Sequence, residues 1–249
     1  MLSESKIRNR TTLMLRLWRS KRSATAIPTS QIPAATQQAA MTDRFEEVIT
    51  SPGRLRELHN LPSYRASNKV IDHIDDICRR FIAACPFVMV ASRGADGRLD
   101  LSPKGDPPGF VAVLDKKTLA IPDRLGNNRL DTFENLLAQP DIGLFFMIPG
   151  NGDTLRASGK GHIVRDGALQ NRLAVNGKAP NLVLVVSVDE AFMHCPKCMV
   201  RSRLWKQDQW PDRTNVPSLA EAVVAHGALT EPIGEIQAII DNDGATRLY

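Results

Sequence analysis

"PFVMVASRGADGRLDLSPKGD", residues 86–106, decides the fold. An apolar run extends from Pro86 to Ala91, "GADG" at 94–97 supplies a tight turn, and "LDLSPKG" follows as a second strand. The stretch therefore predicts two antiparallel strands joined as a hairpin. Upstream, "SNKVIDHIDDICRRFIAAC" places Val70, Ile71, Ile74, Ile77, Cys78, Phe81 and Ile82 on one helical face, with Ser67 or Asn68 as the cap and Pro86 as the stop. That period predicts an amphipathic helix with Cys78 on its core side. Downstream, "GFVAVLD" and "KTLAIPD" read as two short strands joined around 115–117.

The period then changes. In "NNRLDTFENLLAQP", Leu130, Phe133, Leu136 and Leu137 share a helical face, with Asn127 or Asn128 as cap and Pro140 beyond the end. "DIGLFFMIP" follows as an apolar strand, "GNGD" as a turn, and "TLRASGKGHIVRD" as an alternating strand with Gly159 and Gly161 at bulges or bends. "APNLVLVVSVDEAFMHC" is a further strand, and short helices are expected over 167–175, 217–226 and 233–240. The fold class is mainly β: an antiparallel Greek-key barrel of six or seven strands with peripheral helices. Neither GxGxxG after a strand nor GK[ST] occurs, which argues against Rossmann and P-loop folds.

The formal net charge of +5 is unevenly spread. Residues 1–42 hold seven basic side chains (Lys6, Arg8, Arg10, Arg16, Arg19, Lys21, Arg22) against Glu4 alone. The rest of the chain is close to neutral, which removes the electrostatic case for a nucleic-acid-binding body. The 1–42 segment is either a presequence, such as an organellar transit peptide, or an upstream extension ahead of a start at Met41. The domain expected to fold is 43–249. No apolar run reaches the roughly 18 residues of a membrane span, so a cytoplasmic location is expected, or an organellar one if the presequence is genuine. Cys78, Cys85, Cys195 and Cys198 are too few for a disulfide framework in 249 residues.

Three segments carry chemistry. In "IPDRLGNNRLDT" (121–132) a strand end, a loop with Gly and two Asn, two arginines and a helix start come together. Backbone N–H groups at a helix start together with guanidinium groups suit a phosphate; the same residues also fit a capped helix with solvated arginines. "LDLSPKGDPPG" (99–109) offers a hydroxyl, the Lys104 cation and a chain stiffened by prolines, suited to lie along a flat ring; taken by its spacing alone, Lys104 also fits a solvated loop. "HCPKC" (194–198) fits one half of a zinc site or a dithiol at a helix start.

With these segments in hand, the chain resembles the FMN-binding split-barrel family related to pyridoxamine phosphate oxidase, within its group of uncharacterised flavoproteins rather than the oxidase proper. The resemblance covers about residues 45–215, and "PDRLGNNRLDTFENLL" is its most specific part. It implies a six-stranded split barrel that forms a homodimer with FMN in two clefts at the subunit interface. Carried onto this chain, Asp100, Ser102, Lys104 and Gly105 would face the flavin ring. Ile121, Pro122, Asp123 and Arg124 would lie beside the ring or ribityl chain, and Asn127, Asn128 and Arg129 would hold the phosphate. The oxidase proper has Ser, Arg or Lys at this junction, where this chain has "NNR". The resemblance also gives "HCPKC" a third reading, in which His194, Lys197, Arg203 and Trp205 line the cleft formed with the partner subunit and no metal is bound.

The expected function is an FMN-dependent oxidoreductase acting on an unidentified small substrate or electron donor, with Lys104 stabilising charge on the reduced ring. Oxidation of pyridoxamine phosphate itself is disfavoured, because Tyr64 and Tyr249 are the only tyrosines and neither can be placed in a substrate-phosphate pocket. The alternatives are a protein that stores or senses flavin, or a split barrel that holds haem or a deazaflavin.

Overall fold

A computed structural model describes residues 44–249, so the basic segment 1–42 lies outside the described residues. The chain divides at Pro62 into two units. The described part of the first carries helix α1 (Pro52–Leu58), started by Ser51, whose hydroxyl accepts from Arg54 N at 3.1 Å. Arg54 pairs with Glu47 and Glu57 at 2.6 and 2.9 Å. These exposed pairs add little stability.

The second unit, Ser63–Tyr249, opens with a single turn, α2 (Tyr64–Ser67), and then α3 (Asp76–Ala83). The helix expected with Ser67 as its cap thus begins eight residues late, after Asp75. Asp75 caps it, accepting from Cys78 N at 2.8 Å, while Ile71 exchanges backbone hydrogen bonds with Ala191 at 3.0 and 2.7 Å. The backbone of Ile71 is engaged by a strand, and Asn68 ends α2 instead of starting α3. Cys78, Phe81 and Ile82 are buried as the periodicity predicts, whereas Val70 and Ile77 are exposed. Burial pushes the Cys78 thiol up to about 11.

Strands β1 (Phe87–Arg93) and β2 (Leu99–Gly105) form the expected hairpin, closed by Gly97 N donating to Gly94 O at 2.9 Å with Gly97 at φ +82°. The two-residue β3 (Ala112–Val113) pairs with β4 (Thr118–Pro122). Helix α4 (Asp131–Ala138) leads to β5 (Asp141–Met147) and β6 (Thr154–Val164); α5 (Gly167–Arg172) precedes β7 (Val183–His194). The short α6 (Lys197–Ser202), then α7 (Leu219–Gly227) and α8 (Ile233–Thr246), complete the chain. All sheet pairings are antiparallel, in the order β2-β1-β5-β6-β7-β4-β3. Seven strands are therefore present among the described residues, one of them the two-residue β3.

The first hairpin thus stands at one edge and the second at the other, with three strands between them. Even so, Val88 and Val90 of β1 and Leu119 and Ile121 of β4 belong to the same buried cluster, together with Leu144, Phe146 and Val186. A sheet whose distant strands share one core must curl around it, which gives the split-barrel class. Two glycines permit close approaches along β6. At Gly159 a Cβ would stand 1.9 Å from Ser187 O, opposite the place where Asp189 is an extra residue in β7. Gly161 is no bulge; it lies under Leu136 of α4, whose methyl carbons would be 3.0 Å from a Cβ there. Gly159→Ala must push two strands apart and should cost at least ~2 kcal/mol in urea unfolding, whereas Gly167→Ala, which meets nothing within 4 Å, should change stability by less than ~0.5 kcal/mol.

Candidate functional site: a trough at the split

The edge strand β2 reverses the usual polarity. Asp100, Ser102 and Lys104 stand across from Ser92, Val90 and Val88, the core-facing residues of β1, while Leu99 and Leu101 point outward and are 72% and 66% exposed. Polar groups therefore continue the inner face of the sheet where its apolar core ends. They line a cleft of about 360 Å³ whose other wall is the segment from Asp123 to Phe133. A second hollow of about 320 Å³ shares Ser102, Lys104, Asp123, Arg124 and Asn127 with it and extends to Gly105, Phe110 and Pro122. The two form one trough between the edges of the sheet, of a size usual for small-ligand sites.

Arg124 and Asp106 bridge this trough. Asp106 follows β2, Arg124 follows β4, and their Nε and Oδ2 atoms are 2.5 Å apart, with the side chains 15% and 1% exposed. Arg124 Nη2 also donates to Leu173 O at 2.9 Å, and Tyr249 Oη donates to Asp106 Oδ1 at 2.5 Å. Both carboxylate oxygens of Asp106 are thereby satisfied.

The segment 124–131 is not the simple cap that the sequence suggests. The residue before α4 is Leu130, at φ +57°, and Asn128 is at +56°; Asn127 Oδ1 instead accepts Arg129 N at 3.1 Å. A leucine in the left-handed region is strained by about 1–2 kcal/mol, and such strain is found at ligand clamps. Among the cations lining the trough, Arg129 pairs with Asp131 in the first turn of α4 at 2.6 Å, and Arg124 is held by Asp106. Lys104 makes no ion pair within the described residues; its Nζ donates to Ser102 Oγ at 3.0 Å. Burial raises the Asp123 carboxyl above its ordinary range, partly offset by Lys104 and Arg124. Its native state therefore holds a proton more tightly than the unfolded chain, so its contribution to stability falls as pH rises through that raised value.

Residues 74–195 match the family model described as pyridoxamine 5'-phosphate oxidase. This segment is a domain of the pyridoxamine 5'-phosphate oxidase family. No curated protein matches the chain. Among solved structures, HupZ of Group A Streptococcus is similar at 19% identity and TM-score 0.40, covering 48% of this chain and 93% of that one. A Clostridium acetobutylicum protein related to general stress protein 26 is 17% identical at TM-score 0.35, covering 47% and 84%. An FMN-binding protein from Syntrophomonas wolfei is 11% identical at TM-score 0.36, covering 46% and 86%.

Within this oxidase-family domain, the trough gathers Asp100, Ser102, Lys104, Gly105, Pro122, Asp123, Arg124, Asn127, Asn128 and Arg129. Ile121 is not among them, because the strand pleat turns its side chain into the core, where it is 1% exposed. His194 lies elsewhere: it lines an outer hollow of about 370 Å³ with Met89, Leu101, Phe145, Arg156 and Cys198. Lys197 and Arg203 are exposed on and after α6, and Trp205 is half-buried, its Nε1 donating to Asn151 O at 2.7 Å. None of the four lines the trough of its own chain. Cys195 and Cys198 are exposed free thiols, and no group of three or more His, Cys, Asp or Glu suited to a metal occurs among the described residues. Reading the sequence missed Asp106, Thr132 and Tyr249. Asp106 sits in the "SPKGDPPG" run, but nothing local marks it as the partner of Arg124.

Removing one member of the Arg124–Asp106 pair leaves the other as an uncompensated buried charge. Asp106→Leu and Arg124→Met should each lose about 3 kcal/mol in denaturant unfolding, and the double variant should lose clearly less than the two together. Additive losses would show that the two charges are not coupled.

Proposed function

We propose that the trough binds FMN and that the protein is an FMN-dependent oxidoreductase acting on a small substrate as a homodimer. The observation that carries this reading is Lys104: a cation on the inner face of an edge strand, without an ion pair among the described residues, across a ligand-sized trough from a strained loop. Membership of the oxidase family supports the same reading. Bound flavin would supply hydride and electron transfer. The chain's part is to hold and orient it. In this reading Asp100, Ser102, Lys104 and Gly105 border the ring, Pro122, Asp123 and Arg124 the ribityl side, and Asn127, Asn128 and Arg129 the phosphate. The Lys104 ammonium, on a partly buried wall, attracts negative charge on the ring more strongly than it would in water.

The outer face of the sheet supports a dimer. Leu99 and Leu101 are exposed beside Met89, Ala91 and Phe145 of the neighbouring strands, an apolar face along an open sheet edge. Such an edge calls for cover, and a second copy provides it with closed symmetry. Leu101 borders both the trough and the outer hollow that contains His194. A partner seated there would bring its own His194, Lys197, Arg203 and Trp205 toward a trough that these residues do not reach within one chain.

Reconstitution with FMN followed by light scattering and absorbance tests the reading. The expected result is a dimer with one flavin per chain. Lys104→Met should weaken FMN binding at least about tenfold, the loss of one charge-assisted contact, while Arg129→Ala, whose charge is already balanced by Asp131, should weaken it less. Wild-type affinity in Lys104→Met would remove Lys104 from the site, and a monomer saturated with FMN would contradict the dimer.

A further inference from the structure

We infer that Tyr249 is a positioning residue for the trough, setting Arg124 through Asp106 so that docking of the 247–249 segment and occupancy of the trough are coupled; this rests on the reading of the trough as an FMN site. The segment lies 143 residues along the chain from Asp106, yet Tyr249 Oη donates to Asp106 Oδ1 at 2.5 Å. That bond occupies the carboxylate oxygen that Arg124 leaves open. The Tyr249 ring also stands 5.5 Å from Arg124 Cζ, within the reach of a cation–π contact. Its backbone oxygen accepts from Lys178 Nζ at 2.9 Å. One residue thus touches the loop after β2, the loop after β4 and the loop before β7.

Core packing does not require this arrangement. Helix α8, which precedes the segment, buries none of its residues, and its side-chain hydrogen bonds are internal: Gln237 to Asp241, Thr246 to Asn242 O, and Arg247 to Asp243. Tyr249 instead stands on a charged pair that links the end of β2 to the end of β4. Arg124 lines both parts of the trough, with Nε and Nη2 committed to Asp106 and Leu173. A guanidinium held from behind at two nitrogens and over its face presents its remaining N–H groups in a fixed direction. Holding the cation before the ligand arrives lowers the ordering cost of binding. By linkage, a ligand group that engages Arg124 must then favour the docked state of Tyr249 to the same degree. The hydrogen bond from Tyr249 to Asp106 also raises the phenol above its ordinary range.

The chain has two tyrosines, Tyr64 and Tyr249, so a Tyr64→Phe protein grown with 3-fluorotyrosine gives one fluorine resonance, that of Tyr249. Titration with FMN should move this resonance along the same saturation curve as the quenching of flavin fluorescence. Tyr249→Phe, which keeps the ring and loses the hydroxyl, should bind FMN about tenfold more weakly, the scale of a lost hydrogen bond to a charged group. Tyr249→Leu should lose more; both leave a buried Asp106 oxygen without its donor and should lower the melting temperature by a few degrees, with the proteins still folded at the titration temperature. A resonance that stays still while flavin saturates the protein, or wild-type FMN affinity in Tyr249→Phe, would overturn the positioning role and leave the trough as a flavin site. If the wild-type protein neither quenches nor retains FMN, the flavin reading fails, and the coupling with it.

Discussion

The ion pair between Arg124 and Asp106 links what the backbone hydrogen bonds leave apart. A seven-stranded sheet running β2-β1-β5-β6-β7-β4-β3 has two free edges, and curling around one core brings them near each other without pairing them. A guanidinium from the end of β4 and a carboxylate from the end of β2 meet there, almost out of contact with water. Buried pairs of this kind add little net stability compared with apolar packing, yet they are costly to break. The pair therefore sets how the edges approach each other more than how strongly the sheet folds. The trough takes its width from that approach.

What lies along the trough follows from the same geometry. Because β2 continues the inner face beyond the point where the core is filled, Asp100, Ser102 and Lys104 occupy positions that would hold apolar side chains in a closed barrel, and the leucines of the strand are turned outward. Most trough charges are already answered: Arg124 by Asp106, Arg129 by Asp131, and Asp100 by the hydroxyl of Thr132, which donates to it at 3.3 Å. Lys104 makes no ion pair among the described residues and is the natural contact for a ligand's negative charge. The outward leucines leave an apolar edge beside that lysine, so one inverted strand sets both the polar wall of the trough and the exposed apolar edge.

Much of this was legible in the sequence. The hairpin turn at 94–97 and the strand of β5 came from the local sequence pattern, and each agrees with the structure. Two features were not legible, for different physical reasons. The start of α3 was misplaced because the apolar spacing around Val70 and Ile71 fits a helix, while a long-range bridge to Ala191 claims the backbone there. The cap of α4 was misplaced because the tertiary fit holds Leu130 in a conformation that leucine rarely adopts. The Asp106–Arg124–Tyr249 cluster joins residues up to 143 positions apart, beyond the reach of any local pattern. Ile121 illustrates the limit of transferring a whole motif: its neighbours reach the trough, and the pleat of β4 turns Ile121 itself away.

The claim at the centre of this account is that the trough recognises a phosphorylated flavin. Calorimetric titration of the wild-type protein with FMN and with riboflavin, at one ionic strength, tests it most directly, because the ligands differ only in the phosphate. Binding of FMN at least about tenfold tighter than riboflavin is expected from charge-assisted contacts to the phosphate, with the difference shrinking as salt is raised. Equal affinities for the two, or no binding of either, would contradict it.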